Sequence, residues 1–167
     1  MIKLLSKNKD IDKRDISAVV SGKLIPLSEV NDEVFSKGMM GPGIATIPDG
    51  NVVVSPCDGE ITMLFPTLHA FGIKSDYGLE ILVHIGIDTV NAKGMGFKSY
   101  IKKGSSVHRG DKIIRIDSYN LEQRGYDLTT MILFPNLNQN FQFITSGYAT
   151  RGKTVVAKYI SEDIEND

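Results

Sequence analysis

Residues 69–85 read His69-Ala70-Phe71-Gly72-Ile73-Lys74-Ser75-Asp76-Tyr77-Gly78-Leu79-Glu80-Ile81-Leu82-Val83-His84-Ile85, two β-type runs on either side of a turn signal. Folding the segment at Asp76-Tyr77 places Ser75 opposite Gly78, Ile73 opposite Glu80, Phe71 opposite Leu82 and His69 opposite His84. Directly opposed residues of an antiparallel pair have Cβ atoms ~5 Å apart, so this register makes the two imidazoles neighbours. Alternation puts Ile81, Val83, Ile85 and Ile87 on the core face, and Glu80, Leu82 and His84 on the other. The same parity places Phe71 and His69 beside His84. Thr67, two residues earlier, can hydrogen-bond the His69 ring and select its tautomer. Pro66 marks an edge or a bulge.

Outward from this hairpin the chain keeps the same texture: short β-type runs broken by Gly, Pro, Asn and Asp, with sixteen glycines and no long stripe of helical period. Candidate strands are Ser17 to Pro26, Gly43 to Ile47, Asn51 to Ser55, Gly59 to Phe65, His69 to Lys74, Leu79 to Ile85, Asp111 to Ile116, Met131 to Leu133 and Thr154 to Tyr159. The expected fold is all-β, a compact antiparallel β-sandwich or barrel-sandwich hybrid with at most one or two short helical turns. One helical piece is expected around Ser118 to Gly125, and Val30 to Met40 reads as a loop or a single turn. Residues 1–16, rich in charge, read as a flexible tail. Residues 17–160 form one domain and 161–167 a solvated end.

At 167 residues the chain can bury a core without metal or disulfide. Nineteen basic against twenty acidic residues leave a net charge of −1, which argues against a broad nucleic-acid-binding face. Proteins and small molecules are the expected partners. The single cysteine, Cys57, excludes an internal disulfide and fits a reducing cytosol, so a cytoplasmic location is expected. Cys57 itself reads as structural. No run reaches the ~20 apolar residues of a membrane-spanning helix.

Paired histidines admit three kinds of use. A neutral imidazole can attack phosphorus and form a phosphoramidate, while its neighbour donates a hydrogen bond to the phosphoryl oxygens. A catalytic zinc is the second, but it takes three protein ligands and a water. The third is a binding face that the rings merely line. Asp88, four residues after His84, is either a strand-end residue or a carboxylate guarding the site. His108, in a polar turn, reads as exposed and structural.

The runs Phe65-Pro66-Thr67-Leu68-His69-Ala70-Phe71 and Leu82-Val83-His84-Ile85-Gly86-Ile87-Asp88-Thr89-Val90 resemble the glucose-type enzyme IIA family of the bacterial phosphoenolpyruvate-dependent sugar phosphotransferase system. Ser55-Pro56-Cys57-Asp58-Gly59-Glu60-Ile61, Gly94-Met95-Gly96-Phe97 and the turn from Gly104 to Asp111 extend the likeness over roughly Ser17 to Tyr159. The resemblance implies a soluble phosphoryl carrier that accepts phosphate from the phosphocarrier protein HPr and passes it to a cysteine of the IIB domain of a sugar permease. It implies phosphorylation of His84 at Nε2, with His69 assisting onward donation and Thr67 orienting His69. It also implies a docking surface, an apolar depression of Val34, Phe35, Met39, Met40, Phe65 and Phe71 ringed by Asp32 and Asp88. Exposed Met and Phe around a polar centre suit a protein that accepts several partners in turn, regulatory targets included.

No cofactor is required by this chemistry. The resemblance does extend to a zinc ion held by His69 and His84 together with a partner's carboxylate. The alternative function is a zinc-dependent hydrolase of the cell-wall endopeptidase type, whose fold is related; its His-x-His element is absent here. Glu33 after Asp32, and Pro42 within Gly41-Pro42-Gly43, depart from the family pattern and bear on partner preference.

Overall fold

Short alternating runs bury their apolar sides by pairing, and in the computed structural model, which describes residues 11–161, every strand pairing is antiparallel. The strands are β1 (Ile16–Ser17), β2 (Gly22–Pro26), β3 (Gly43–Pro48), β4 (Val52–Val54), β5 (Gly59–Leu64), β6 (Ala70–Ser75), β7 (Glu80–Ile85), β8 (Phe97–Ser99), β9 (Ser106–Val107), β10 (Lys112–Ile116), β11 (Thr130–Leu133), β12 (Phe141–Phe143), β13 (Tyr148–Ala149) and β14 (Val155–Tyr159). An eight-stranded sheet runs β13-β2-β3-β11-β7-β6-β5-β9, and two three-stranded sheets run β4-β10-β8 and β1-β14-β12. The expected all-β sandwich is the architecture found. Among the described residues, helix is confined to α1 (Glu33–Ser36) and α2 (Ser118–Gln123), which fall in the two segments expected to hold a turn, and to two 3-10 turns that were not expected, Leu27–Glu29 and Thr89–Ala92.

The main core lies between the sheets. Ile61, Phe71, Ile73, Ile81, Val83, Ile85 and Ile132 of the large sheet meet Val53, Ile113, Ile114 and Ile116 of the β4-β10-β8 sheet. A second apolar cluster covers the outer face of the large sheet, where Ile25, Ala45, Met131 and Leu133 pack under Leu27, Val30 and Phe35. Ile87 belongs to this outer cluster rather than to the core, because the chain turns through φ +78° at Gly86 and the strand alternation ends there.

The fold begins before the expected boundary at Ser17. Ile16 is already in β1, and Asp15 is buried, accepting the Tyr159 backbone N–H at 2.8 Å. Arg109 secures this segment: Nη1 donates to Ser17 Oγ at 2.6 Å and to the Pro56 carbonyl at 3.0 Å, and Nη2 donates to the Asp15 carbonyl at 2.7 Å. Residues 1–10 of the expected tail and residues 162–167 of the expected solvated end lie outside the described residues.

Candidate functional site

The hairpin forms, with a register one residue away from the expected one. The Ser75 N–H donates to the Leu79 carbonyl at 2.8 Å while its own carbonyl accepts the Gly78 N–H at 2.9 Å, so the loop closes through Asp76, Tyr77 and Gly78 with Gly78 at φ +83°, a longer connection that needs a left-handed residue. Phe71 therefore faces Val83, and Ala70 faces His84. This overturns the placement of Phe71 on the docking surface: it is fully buried in the main core. A one-residue slip sends every side chain of a strand to the opposite face.

The imidazoles nevertheless meet, by a different route. His69 stands just before β6, after a turn in which Leu68 takes φ 59° and its N–H bonds the Phe65 carbonyl at 2.8 Å. The Ile85 N–H then donates to the His69 carbonyl at 2.7 Å, fixing His69 beside the end of β7. The ring centroids of His69 and His84 are 5.1 Å apart and nearly perpendicular at 80°. Phe35 packs on His84 with centroids 4.7 Å apart, and Phe65 packs on the edge of His69 at 5.1 Å.

Each ring is oriented through Nδ1. His84 Nδ1 lies 2.9 Å from the Gly86 carbonyl; a carbonyl only accepts, so Nδ1 carries the proton and Nε2 of the neutral ring is left with its lone pair. His69 Nδ1 lies 2.5 Å from Thr67 Oγ1, the contact expected from their spacing. With the hydroxyl donating, the His69 proton sits on Nε2. Burial, then the neighbouring His69, pushes the His84 pKa down to about 4, partly opposed by the Gly86 carbonyl, Asp32 and Asp88. Burial also lowers His69. Both rings are thus neutral at pH 7, the state in which imidazole nitrogen is nucleophilic.

Around the pair, Asp32 caps α1, its Oδ1 accepting from the Val34 N–H at 2.9 Å. Val34, Met39 and Met40 are exposed, whereas Phe35 is buried in the outer cluster. Asp88 is exposed, at φ 57°, where the Thr89–Ala92 turn begins. Both carboxylates act on His84 through their charge. Next to Phe65, which packs on His69, lies a groove of about 410 Å³ whose lining includes Met40, Met63, Phe65, Gly72, Glu80, Leu82 and Pro135. Sequence reasoning missed Gly86, Leu82 and Met63. The signal for Gly86 was a glycine interrupting an apolar strand two residues after a histidine; Leu82 was read as outward-facing, without the groove it lines.

Residues 14–140 match the family model for the phosphoenolpyruvate-dependent sugar phosphotransferase system, EIIA 1. The chain belongs to the glucose-type EIIA family. It is 41% identical, over 81% of its length and 84% of the relative's, to the glucose-specific EIIA component of the system from Oceanobacillus iheyensis. It is also 44% identical over 74% of its length to the β-glucoside-specific EIIBCA component of Bacillus subtilis, of which it spans 20%. Among solved structures, glucose permease IIA from Mycoplasma capricolum superposes with a TM-score of 0.80 at 35% identity, over 86% of this chain and 93% of that one.

As an EIIA protein the chain is a phosphocarrier of a sugar phosphotransferase system, and His69, buried, and His84, half-buried, are the paired nitrogen groups that the fold brings together. The same two rings supply at most two nitrogen donors to a metal. Among the described residues no group of three His, Cys, Asp or Glu is placed to hold an ion. A catalytic zinc takes three protein ligands, so this chain's residues alone do not fit one, and the hydrolase alternative is not favoured by the family. His108 is exposed, 3.7 Å from Asp58, and Cys57 is buried, its thiol pushed up to about 12 by that burial. Among the described residues no helix is long and apolar enough to cross a membrane.

Proposed function

We propose that His84 Nε2 accepts a phosphoryl group from phosphorylated HPr and donates it to a cysteine of the IIB domain of a sugar permease. The observation that carries this reading is the Gly86 carbonyl on His84 Nδ1, which reserves the Nε2 lone pair for phosphorus. On acceptance a P–N bond forms at Nε2 as the donor's P–N bond breaks; the donor ring, protonated on its other nitrogen, leaves as neutral imidazole, and the Nδ1 proton of His84 stays hydrogen-bonded to the Gly86 carbonyl. On donation the IIB thiolate attacks phosphorus, a P–S bond forms as the P–Nε2 bond breaks, and His84, still carrying its Nδ1 proton, leaves as the neutral ring. His69, held by Thr67, hydrogen-bonds the phosphoryl oxygens and steadies the charge that moves between donor and acceptor, the main contribution a protein makes to phosphoryl transfer.

Docking is assigned to Val34, Met39, Met40 and Phe65, with Leu82 and Met63 in place of Phe71, and with Asp32 and Asp88 presenting negative charge to basic partners. Relatives named EIIBCA and EIICBA carry the A unit in one chain with B and C units, which supports a permease IIB domain as acceptor and a cytoplasmic site of exchange. A zinc ion shared between the two Nε2 atoms and a partner carboxylate would need the other His69 tautomer, with Nδ1–H donating to Thr67 Oγ1 so that both Nε2 lone pairs are free. The test is labelling with phosphoenolpyruvate, enzyme I and HPr. Wild type takes up one acid-labile group and His84→Ala takes up none. His69→Gln is labelled within a few-fold of the wild-type rate but donates to IIB ~100-fold more slowly or worse. Equal donation by His69→Gln and wild type removes His69 from the mechanism.

A further inference from the structure

The apolar rim of the histidine face is built largely of methionine. Among the described residues there are five, and four are exposed: Met39 at 70%, Met40 at 38%, Met63 at 49% and Met95 at 63%. Met40 and Met63 line the groove next to Phe65, Met39 adjoins Met40, and Met95 follows Gly94, which lies against Thr67. The fifth, Met131, is fully buried opposite His84 on β11. Leucine or isoleucine would make an equally apolar wall. Methionine adds flexibility and a polarizable sulfur, which suit a surface that fits several partners, and a thioether open to oxidation.

We infer that Met39, Met40 and Met63 are oxidation sites at which peroxide closes the docking groove to protein partners while leaving the histidine pair competent. This rests on the docking role assigned to the groove above. The thioether sulfur attacks one peroxide oxygen, the O–O bond breaks, and an S=O bond forms. Sulfur is oxidised by two electrons, and the departing oxygen leaves as water after taking a proton. The flexible apolar wall becomes a polar one. A partner seating on it buries an S=O group against Phe65, Leu82 and Pro135 without a hydrogen bond, which weakens docking about tenfold for each sulfoxide left unpaired. Thiol-dependent methionine sulfoxide reductase reverses the change. The sole cysteine does not compete for the oxidant, because Cys57 is buried and its thiol stays protonated.

The experiment treats the full chain with hydrogen peroxide and maps the product by peptide mass spectrometry. It then compares labelling from phosphorylated HPr, which must dock, with labelling from phosphoramidate, a small donor that need not. Sulfoxide is expected at Met39, Met40, Met63 and Met95 before Met131. The KM for phosphorylated HPr rises tenfold or more, phosphoramidate labelling stays unchanged, and the reductase restores the KM. The triple variant Met39→Leu, Met40→Leu, Met63→Leu holds its own KM through peroxide treatment. An unchanged KM in oxidised wild type overturns the inference, as does an equal rise in the triple variant. Untreated protein that takes no label from either donor overturns the carrier reading and this inference with it; normal labelling with an unmoved KM overturns this inference alone.

Discussion

At position 86 the backbone runs through φ +78°, and a Cβ there would lie 2.4 Å from the Thr89 methyl and 2.9 Å from the Asp127 carbonyl. Only glycine meets both conditions, and its carbonyl is the acceptor that fixes His84 Nδ1. Gly86→Ala is expected to lower stability by about 2 kcal/mol or more and to slow phosphoryl acceptance, checked by thermal unfolding beside the labelling rate. The depressed His84 pKa carries a second expectation. Its ring binds a proton near pH 4 in the fold and near 6.5 in the unfolded chain, so between those values the unfolded state holds more proton. Stability therefore falls on acidification through that window, by at most about 3 kcal/mol from this group, and His69, lowered by burial, acts in the same sense. Thermal melts from pH 7 to 4 should show a shallower loss for His84→Gln than for wild type; identical profiles count against the neutral, buried ring.

On the scale of elements, α1 is a single turn and cannot hold itself together by propensity. Phe35 anchors it in the outer cluster, and Asp32 caps it. Asp32→Ala is expected to cost about 1 kcal/mol through the lost cap and, by loosening Phe35 over His84, to weaken docking; denaturant unfolding and the KM for the phosphoryl donor report the two effects. Asp32→Asn keeps a capping oxygen without the charge, so it separates stability from electrostatics. The hairpin shows what was legible at this scale. The alternation of Ile81, Val83 and Ile85 is strict, so the core face of β7 could be read. The register could not, because a turn closing through Gly78 and one closing at Asp76-Tyr77 differ by a single residue. That residue moved Phe71 into the core. The meeting of His69 with His84 survived because the left-handed Leu68 turn, not strand parity, aims the first ring.

Over the whole molecule, the eight-stranded sheet is apolar on both faces, with the sandwich core on one side and the Leu27–Phe35 segment over part of the other. Alternation predicts one buried face, so Leu82, Met131 and Leu133 did not announce their cover. Strands β8, β9, β12 and β13 escaped notice because two or three residues carry too little pattern to read. The histidines sit where the outer cover stops, between a buried cluster and an open methionine-rich groove. That position gives them neutral rings and access for a partner at once. The most direct test of the account is the chemical form of the phosphorylated protein, read by NMR of ¹⁵N-histidine-labelled chain after transfer from phosphorylated HPr. One phosphoryl group on Nε2 of His84, with Nδ1 still protonated toward Gly86, is the predicted result. Phosphate on Nδ1 of His84, or on any other residue, would contradict it.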